Sequence, residues 1–184
     1  ESKVSLVAIV GFDAVGKTTL WNYLRTTASG IYLRCPPSEL DSQRETVRQA
    51  LLTEQLRFYN HGNDLVEQRI AQMPSAENIW VDRYRYCTAA FFSVAKGEQL
   101  MLPNYFLQPD LVVLLSAENE IVRKRLLARG RMLSWENPDL QASVEREYVR
   151  VIGDAPMLRI DTTQMSVESV AEQVLEVVNV TARS

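Results

Sequence analysis

Several things are scarce in this 184-residue chain, and each scarcity excludes a class. No apolar run reaches the length of a membrane span. Cysteine occurs twice, at Cys35 and Cys87, without metal-ligand spacing, and His61 is the single histidine, so neither a zinc site nor a structural disulfide is indicated. Positive charge is not in excess: the formal net charge of −3 argues against broad electrostatic binding to nucleic acid or an anionic membrane. Glycine and proline number seven each, and no repeat, linker or low-complexity stretch interrupts the chain. Lysine is rare too: Lys3, Lys17, Lys96 and Lys124 are the only four, and arginine supplies the remaining cations. Its planar fork suits bidentate phosphate contacts. No signal peptide is read ahead of the first strand, and a soluble protein of a reducing compartment, the cytoplasm, is the expectation.

What is present is a composition of 46% hydrophobic and 23% charged residues, enough for one domain with a substantial core. Its most informative stretch is Val4–Leu20. An apolar β-branched run from Val4 to Val10 breaks at Gly11, and Gly11-x-x-x-x-Gly16-Lys17-Thr18 follows at once. The pattern then turns helical through Leu20, Trp21 and Leu24. Strand, glycine loop and helix in that order are the setting of a phosphate-binding P-loop. Glycines let backbone N–H groups curl around an anion, and the helix N-terminus adds favourable partial charge. The expected nucleotide-binding set is Gly11, Ala14, Val15, Gly16, Lys17, Thr18 and Thr19, with Lys17 on the ATP phosphates and Thr18 on Mg²⁺.

Further along, Ile31–Leu33 reads as a short strand before the rigid Cys35-Pro36-Pro37 turn, with Ser38 as N-cap of the next helix. Gly62 is expected to divide a long amphipathic segment into two helices. Asn78–Val81 forms a strand ended by Asp82-Arg83-Tyr84, which puts a carboxylate where a P-loop fold organises its metal. A helix over Cys87–Lys96 leads to the buried strand Leu111–Leu115, and Ser116 is the expected cap of the helix after it. That helix ends in Arg125, Arg129, Gly130 and Arg131, where a lid over about residues 129–140 begins. Asn137-Pro138 opens a further helix, Leu158–Ile160 a last strand, and Val167–Val178 a closing helix. Five short strands alternating with helices predict a three-layer α/β/α fold with a five-stranded, mostly parallel sheet, residues 1–184 forming a single P-loop domain.

Taken together, these stretches resemble the thymidylate kinase family of P-loop nucleoside monophosphate kinases. The resemblance runs along most of the chain: the P-loop with Asp13 two residues after its first glycine, Arg34 after the second strand, Phe58, Asp82-Arg83-Tyr84, Pro109-Asp110-Leu111, and Arg125, Arg129 and Arg131. It implies that Asp13 holds an acceptor sugar hydroxyl, that Arg34 and Arg83 hold the acceptor phosphate, and that Phe58 stacks on the acceptor base beside Tyr84. It implies catalysis by Lys17, Asp82, Arg83 and the lid arginines Arg129 and Arg131, with Mg²⁺ at Thr18 and Asp82. Family members are commonly dimers, so a homodimer is the expectation. The departures fall on acceptor-reading positions: Gly62 for a base-contacting arginine, Cys87 for serine, and Phe91-Phe92 for Tyr-Gln. Cys35 replaces the glutamate after Arg34, and Ser143 and Glu145 replace arginines. Thymidylate is therefore expected to be a poor acceptor, or not the best one. Two competing readings stay open, a deoxynucleoside kinase and a non-catalytic nucleotide-binding protein. A regulatory GTPase is disfavoured, since no lysine sits in an Asn/Thr-Lys-x-Asp context.

Overall fold

The computed structural model of the chain describes residues 5–73, 77–130 and 136–181. Strand β1 (Leu6–Gly11) is buried at every position, as its unbroken apolar sequence requires, and it lies at the centre of the sheet. Beside it run β3 (Ile79–Asp82) and β4 (Leu111–Ser116), and β2 (Ile31–Arg34) and β5 (Met157–Asp161) form the edges, in the order β2-β3-β1-β4-β5. All four pairings are parallel, so the sheet described is wholly parallel rather than mostly so. The carboxyl ends of the strands thus share one edge, where a doubly wound fold binds its ligands.

Helices cover both faces. On one, α1 (Lys17–Thr27) packs against α7 (Val167–Thr181) and against β1 and β3. On the other, α4 (Arg85–Lys96) packs against α3 (Leu52–Ala71), α6 (Gln141–Ile152) and β1. Helix α2 (Asp41–Arg48) leads into α3, and α5 (Asn119–Ala128) follows β4. Trp80, Ile9, Leu114, Leu115 and Leu126 are sealed in the core, each such side chain adding about 1.5–3 kcal/mol of transfer free energy.

Three local expectations are corrected. Ser38 is the first residue of a 3-10 turn, Ser38–Leu40, whose cap position is Pro37, and no side chain caps it. Ser116 is the last residue of β4, and Glu118 precedes α5 without a capping side chain. Gly62 does not break a helix: α3 runs through it for 20 residues, and the break falls earlier, at Leu51 in extended geometry. A Cβ on Gly62 would lie 2.7 Å from Pro36 Cβ and 3.2 Å from its Cα. The glycine therefore lets α3 approach the turn after β2 more closely than any side chain allows. Gly62→Ala gains up to about 1 kcal/mol of helix propensity but overpacks Pro36 at a cost of about 1–3 kcal/mol. We expect a net loss of stability, seen as a lower urea midpoint with an unchanged m value. A midpoint equal to or above wild type would show that Pro36 yields freely.

Candidate active site

The loop between β1 and α1 takes its shape from backbone conformations that few residues adopt. Gly11 has φ 145°, and a Cβ there would meet the Leu115 carbonyl oxygen at 2.3 Å. Gly16, at φ 102°, is the N-cap of α1, and Ala14 holds the left-handed region at φ 62°. These turns free the α1 N-terminus as an anion-binding surface. Lys17 lies back across the loop, only 4% exposed, donating to the carbonyls of Gly11 at 2.8 Å and Phe12 at 2.5 Å. Burial and the nearby Arg83 charge lower its pKa from 10.5 to about 8. The unfolded chain thus binds more protons than the folded one between pH 8 and 10.5, and this lysine's contribution to stability rises with pH across that window. We expect wild type to gain about 3 kcal/mol on Lys17→Met between those limits, measured by denaturation without nucleotide. A flat difference would mean that the ammonium is solvated.

Behind the loop, Thr18 Oγ1 donates to Asp82 Oδ2 at 2.9 Å. Asp82 is 5% exposed, and its other oxygen, Oδ1, is buried with no partner. A carboxylate oxygen left so costs about 1–3 kcal/mol unless a cation or donor meets it. One hydroxyl and one half-used carboxylate beside a phosphate loop suit Mg²⁺, which binds through one or two carboxylates and takes its other ligands from phosphates and water. Among the described residues no cluster of three or more Cys, His, Asp or Glu could form an all-protein cage.

Toward α3 the same edge carries a second charged pair. Arg83, in left-handed geometry at φ 69°, donates to Asp13 Oδ1 at 2.7 Å, and Lys17 Nζ stands 3.9 Å from the same oxygen. Burial works against ionisation of Asp13, but Arg83 and Lys17 outweigh it and lower the carboxyl to about 2. Such strained backbone at an ion pair is typical of a functional site. Asp13, Arg83 and Tyr84 line a cavity of about 80 Å³ whose far wall includes Tyr59, Asn63 and Thr88. The hydroxyl of Tyr84 is already used: its one proton lies between two acceptors, Leu107 O at 2.7 Å and Glu67 Oε1 at 3.0 Å. Arg85 completes that support, pairing with Glu67 and Asp64 and locking α4 to α3.

Not every expected residue converges here. Phe58 is buried and does not line this cavity; Tyr59, one residue on, does. Arg34 ends β2 exposed, 3.5 Å from Asp41. A second cavity, of about 330 Å³, lies on the other side of the loop, lined by Ala14, Val15, Gly16, Thr19, Arg125 and Arg129. Arg125 ties the loop to the turn after β5, donating to Ala14 O at 3.1 Å and Thr162 O at 3.2 Å. Arg129 is about half exposed, 3.6 Å from Glu136. Arg131 and residues 131–135 of the expected lid lie outside the described residues.

Three contributors went unnoticed in the sequence. Tyr148, in α6, donates to Gly11 O at 2.9 Å, and burial together with Cys87 keeps its phenol protonated well above the usual range. Its place in an apolar stripe hid the hydroxyl. Arg44, in α2, bonds Asp41 at 3.2 Å while its Nε is buried without a partner, within electrostatic reach of Arg34 and Arg83. Asn63 is 1% exposed in the middle of α3, where a polar residue in a mixed helix gave no signal.

The chain matches the family model described as thymidylate kinase over residues 9–174. Human "UMP-CMP kinase 2, mitochondrial" is 29% identical over 196 residues, which cover 97% of this chain and 43% of the human protein. The chain therefore spans less than half the length of that relative. A probable thymidylate kinase of Archaeoglobus fulgidus is 24% identical over 186 residues, covering 94% of each chain. Among solved structures, thymidylate kinase from Candida albicans superposes with a TM-score of 0.72 at 17% identity, over 97% of this chain and 92% of that one. Deoxyadenosine kinase from M. mycoides gives 0.68 at 18% identity, over 95% and 98%. At such identities the structures share the fold, and it is the family match across nearly the whole chain, coinciding with the Gly11–Thr18 loop and Asp82, that decides the relationship: the chain belongs to the thymidylate kinase family.

Proposed function

We propose that this chain moves the terminal phosphoryl group of ATP, with Mg²⁺, onto the phosphate of a nucleoside monophosphate. The observation that carries the reading is the Thr18–Asp82 pair, with its unpartnered Oδ1, beside the Asp13–Arg83 pair on one sheet edge. One pair serves a metal-bound donor and the other an acceptor with a hydroxyl and a phosphate. The loop N–H groups and Lys17 bind the donor phosphates. When bound through Thr18 and Asp82, Mg²⁺ neutralises charge on those oxygens. Asp13 accepts from the acceptor sugar, and Arg83, Arg34 and Arg44 hold its phosphate. The attacking oxygen is already anionic, so positioning and charge stabilisation do most of the work.

We take the chain as one kinase domain with a lid from about Arg129 to Leu140. Since Ala14 adds no cationic side chain to the loop beside Lys17, Arg129 and Arg131 join Lys17 in stabilising the transferring group. Arg129→Ala is expected to lower kcat by about 10²-fold or more with a small change in the KM for ATP. A kcat within a few-fold of wild type for both Arg129→Ala and Arg131→Ala would return these residues to an exposed helix end.

The overall test is ATP turnover with and without thymidine, uridine, cytidine, adenosine and guanosine monophosphates. Turnover should require a monophosphate, and thymidine monophosphate should not lead by more than about a hundredfold, because the lining residues Cys87 and Phe92 carry no long polar group and Gly62, packed on Pro36, supplies no side chain at all. The human relative, named for UMP and CMP, supports a pyrimidine acceptor of another kind. Phosphorylation of nucleosides alone would move the reading to a nucleoside kinase. Absence of any acceptor-dependent turnover would leave a nucleotide-binding protein.

A further inference from the structure

The acceptor cavity contains a buried polar relay that the phosphate and sugar contacts do not use. Asn63 Oδ1 accepts from Cys35 Sγ at 2.9 Å, and Asn63 Nδ2 donates to Thr88 Oγ1 at 3.0 Å. Asn63, Cys35 and Thr88 all line the cavity that Asp13 and Arg83 also line, and Asn63 is almost wholly shielded from bulk water. The relay depends on Gly62, because only the close contact with Pro36 brings α3 near enough to bridge Cys35 and α4.

Both partners of the amide are ambivalent. A thiol and a hydroxyl each donate and accept, so the amide turned by 180° makes the same two bonds with the roles exchanged. In either orientation it keeps one N–H and one oxygen lone pair unused among the described residues. Around it the cavity is walled largely by rings, those of Tyr59, Phe91 and Phe92. A buried group reading a ring in such surroundings discriminates strongly, because a mismatch leaves polar atoms unpaired.

We propose that Asn63, steadied by Cys35 and Thr88, reads the exocyclic group of a pyrimidine acceptor and takes it as either a carbonyl or an amine. A uracil carbonyl meets the amide N–H, and a cytosine amine meets the amide oxygen after the flip. Asn63 is thus a specificity-determining residue with dual tolerance built into its neighbours. This rests on the monophosphate kinase reading above.

The experiment compares kcat/KM for UMP, CMP, AMP and GMP with that for the ribonucleotide of pyrimidin-2-one, which carries no group at ring position 4. Wild type should use UMP and CMP within about tenfold of each other, and the unsubstituted ring at least about tenfold less well than either. In Asn63→Asp the carboxylate only accepts, so the CMP/UMP ratio should rise at least about tenfold. A merely structural asparagine would lower both rates and leave that ratio alone. An unsubstituted ring used as well as UMP and CMP overturns the proposal on the wild-type protein, whether or not the variant folds. So does a folded Asn63→Asp with an unmoved ratio, or a purine monophosphate as best acceptor. In each of those cases monophosphate kinase activity itself persists, whereas failure of the parent reading shows as no turnover with any monophosphate.

Discussion

Replacing Lys17 by alanine is expected to lower kcat by about 10³-fold or more while the fold persists. The ammonium of this side chain bonds only to loop carbonyls and stands beside Asp13, so its loss breaks no hydrogen bond between core elements. What disappears, on the proposed function, is the cation that would leave two carbonyl partners for phosphate oxygens. Arg125 cannot substitute, being held on Ala14 and Thr162. Single-turnover measurement of ADP formation, beside a thermal melt of the same preparation, separates the two effects. A folded variant with near-wild-type turnover would remove the kinase assignment of this loop.

Asp82→Asn should rank next, with an expected loss of about 10²–10³-fold in kcat at fixed Mg²⁺. The amide keeps the bond from Thr18 but presents a neutral group where Oδ1 now stands buried and unpartnered. In the absence of nucleotide the variant should be about as stable as wild type, since the buried Oδ1 has no hydrogen bond to lose, although Lys17 and Arg83 lose a nearby opposite charge. The combination of slower transfer with about equal stability is the signature sought. If raising Mg²⁺ restored full activity, the carboxylate would be a binding group alone; if activity never fell, Asp82 would have no part in metal binding.

The sequence made these two residues legible because their chemistry is tied to spacing. A fixed motif and an abrupt charge after a buried strand survive without any knowledge of tertiary structure, and so do the five strands. Helix α3 was harder. A glycine in a helix costs about 1 kcal/mol, which suggested a break at Gly62, and the Pro36 contact that outweighs this cost is invisible along the chain. The same helix explains why Phe58 and Tyr59 exchange places, since one residue turns a side chain by about 100°. Ser38 and Ser116 are common capping residues that lie within other elements here. Tyr148, Arg44 and Asn63 acquire meaning only from partners in distant segments. Apart from the bond between Arg44 and Asp41, their hydrogen bonds run over 25 to 137 residues of sequence.

The packing of Gly62 against Pro36 also bears on how the acceptor site can evolve. Glycine codons lie one nucleotide change from arginine codons, so the base-contacting arginine typical at this position of the family is a single mutational step away. That step is obstructed: the first carbon of any side chain would come within 2.7 Å of Pro36, whose backbone cannot retreat without moving the end of β2 and the neighbouring Cys35 and Asn63. A lineage with this contact reaches the arginine only after an earlier, separate change has loosened the turn. The contact thus acts as a steric ratchet at position 62, whereas Asn63, Thr88 and Phe91 line the acceptor cavity without forming the glycine–proline contact.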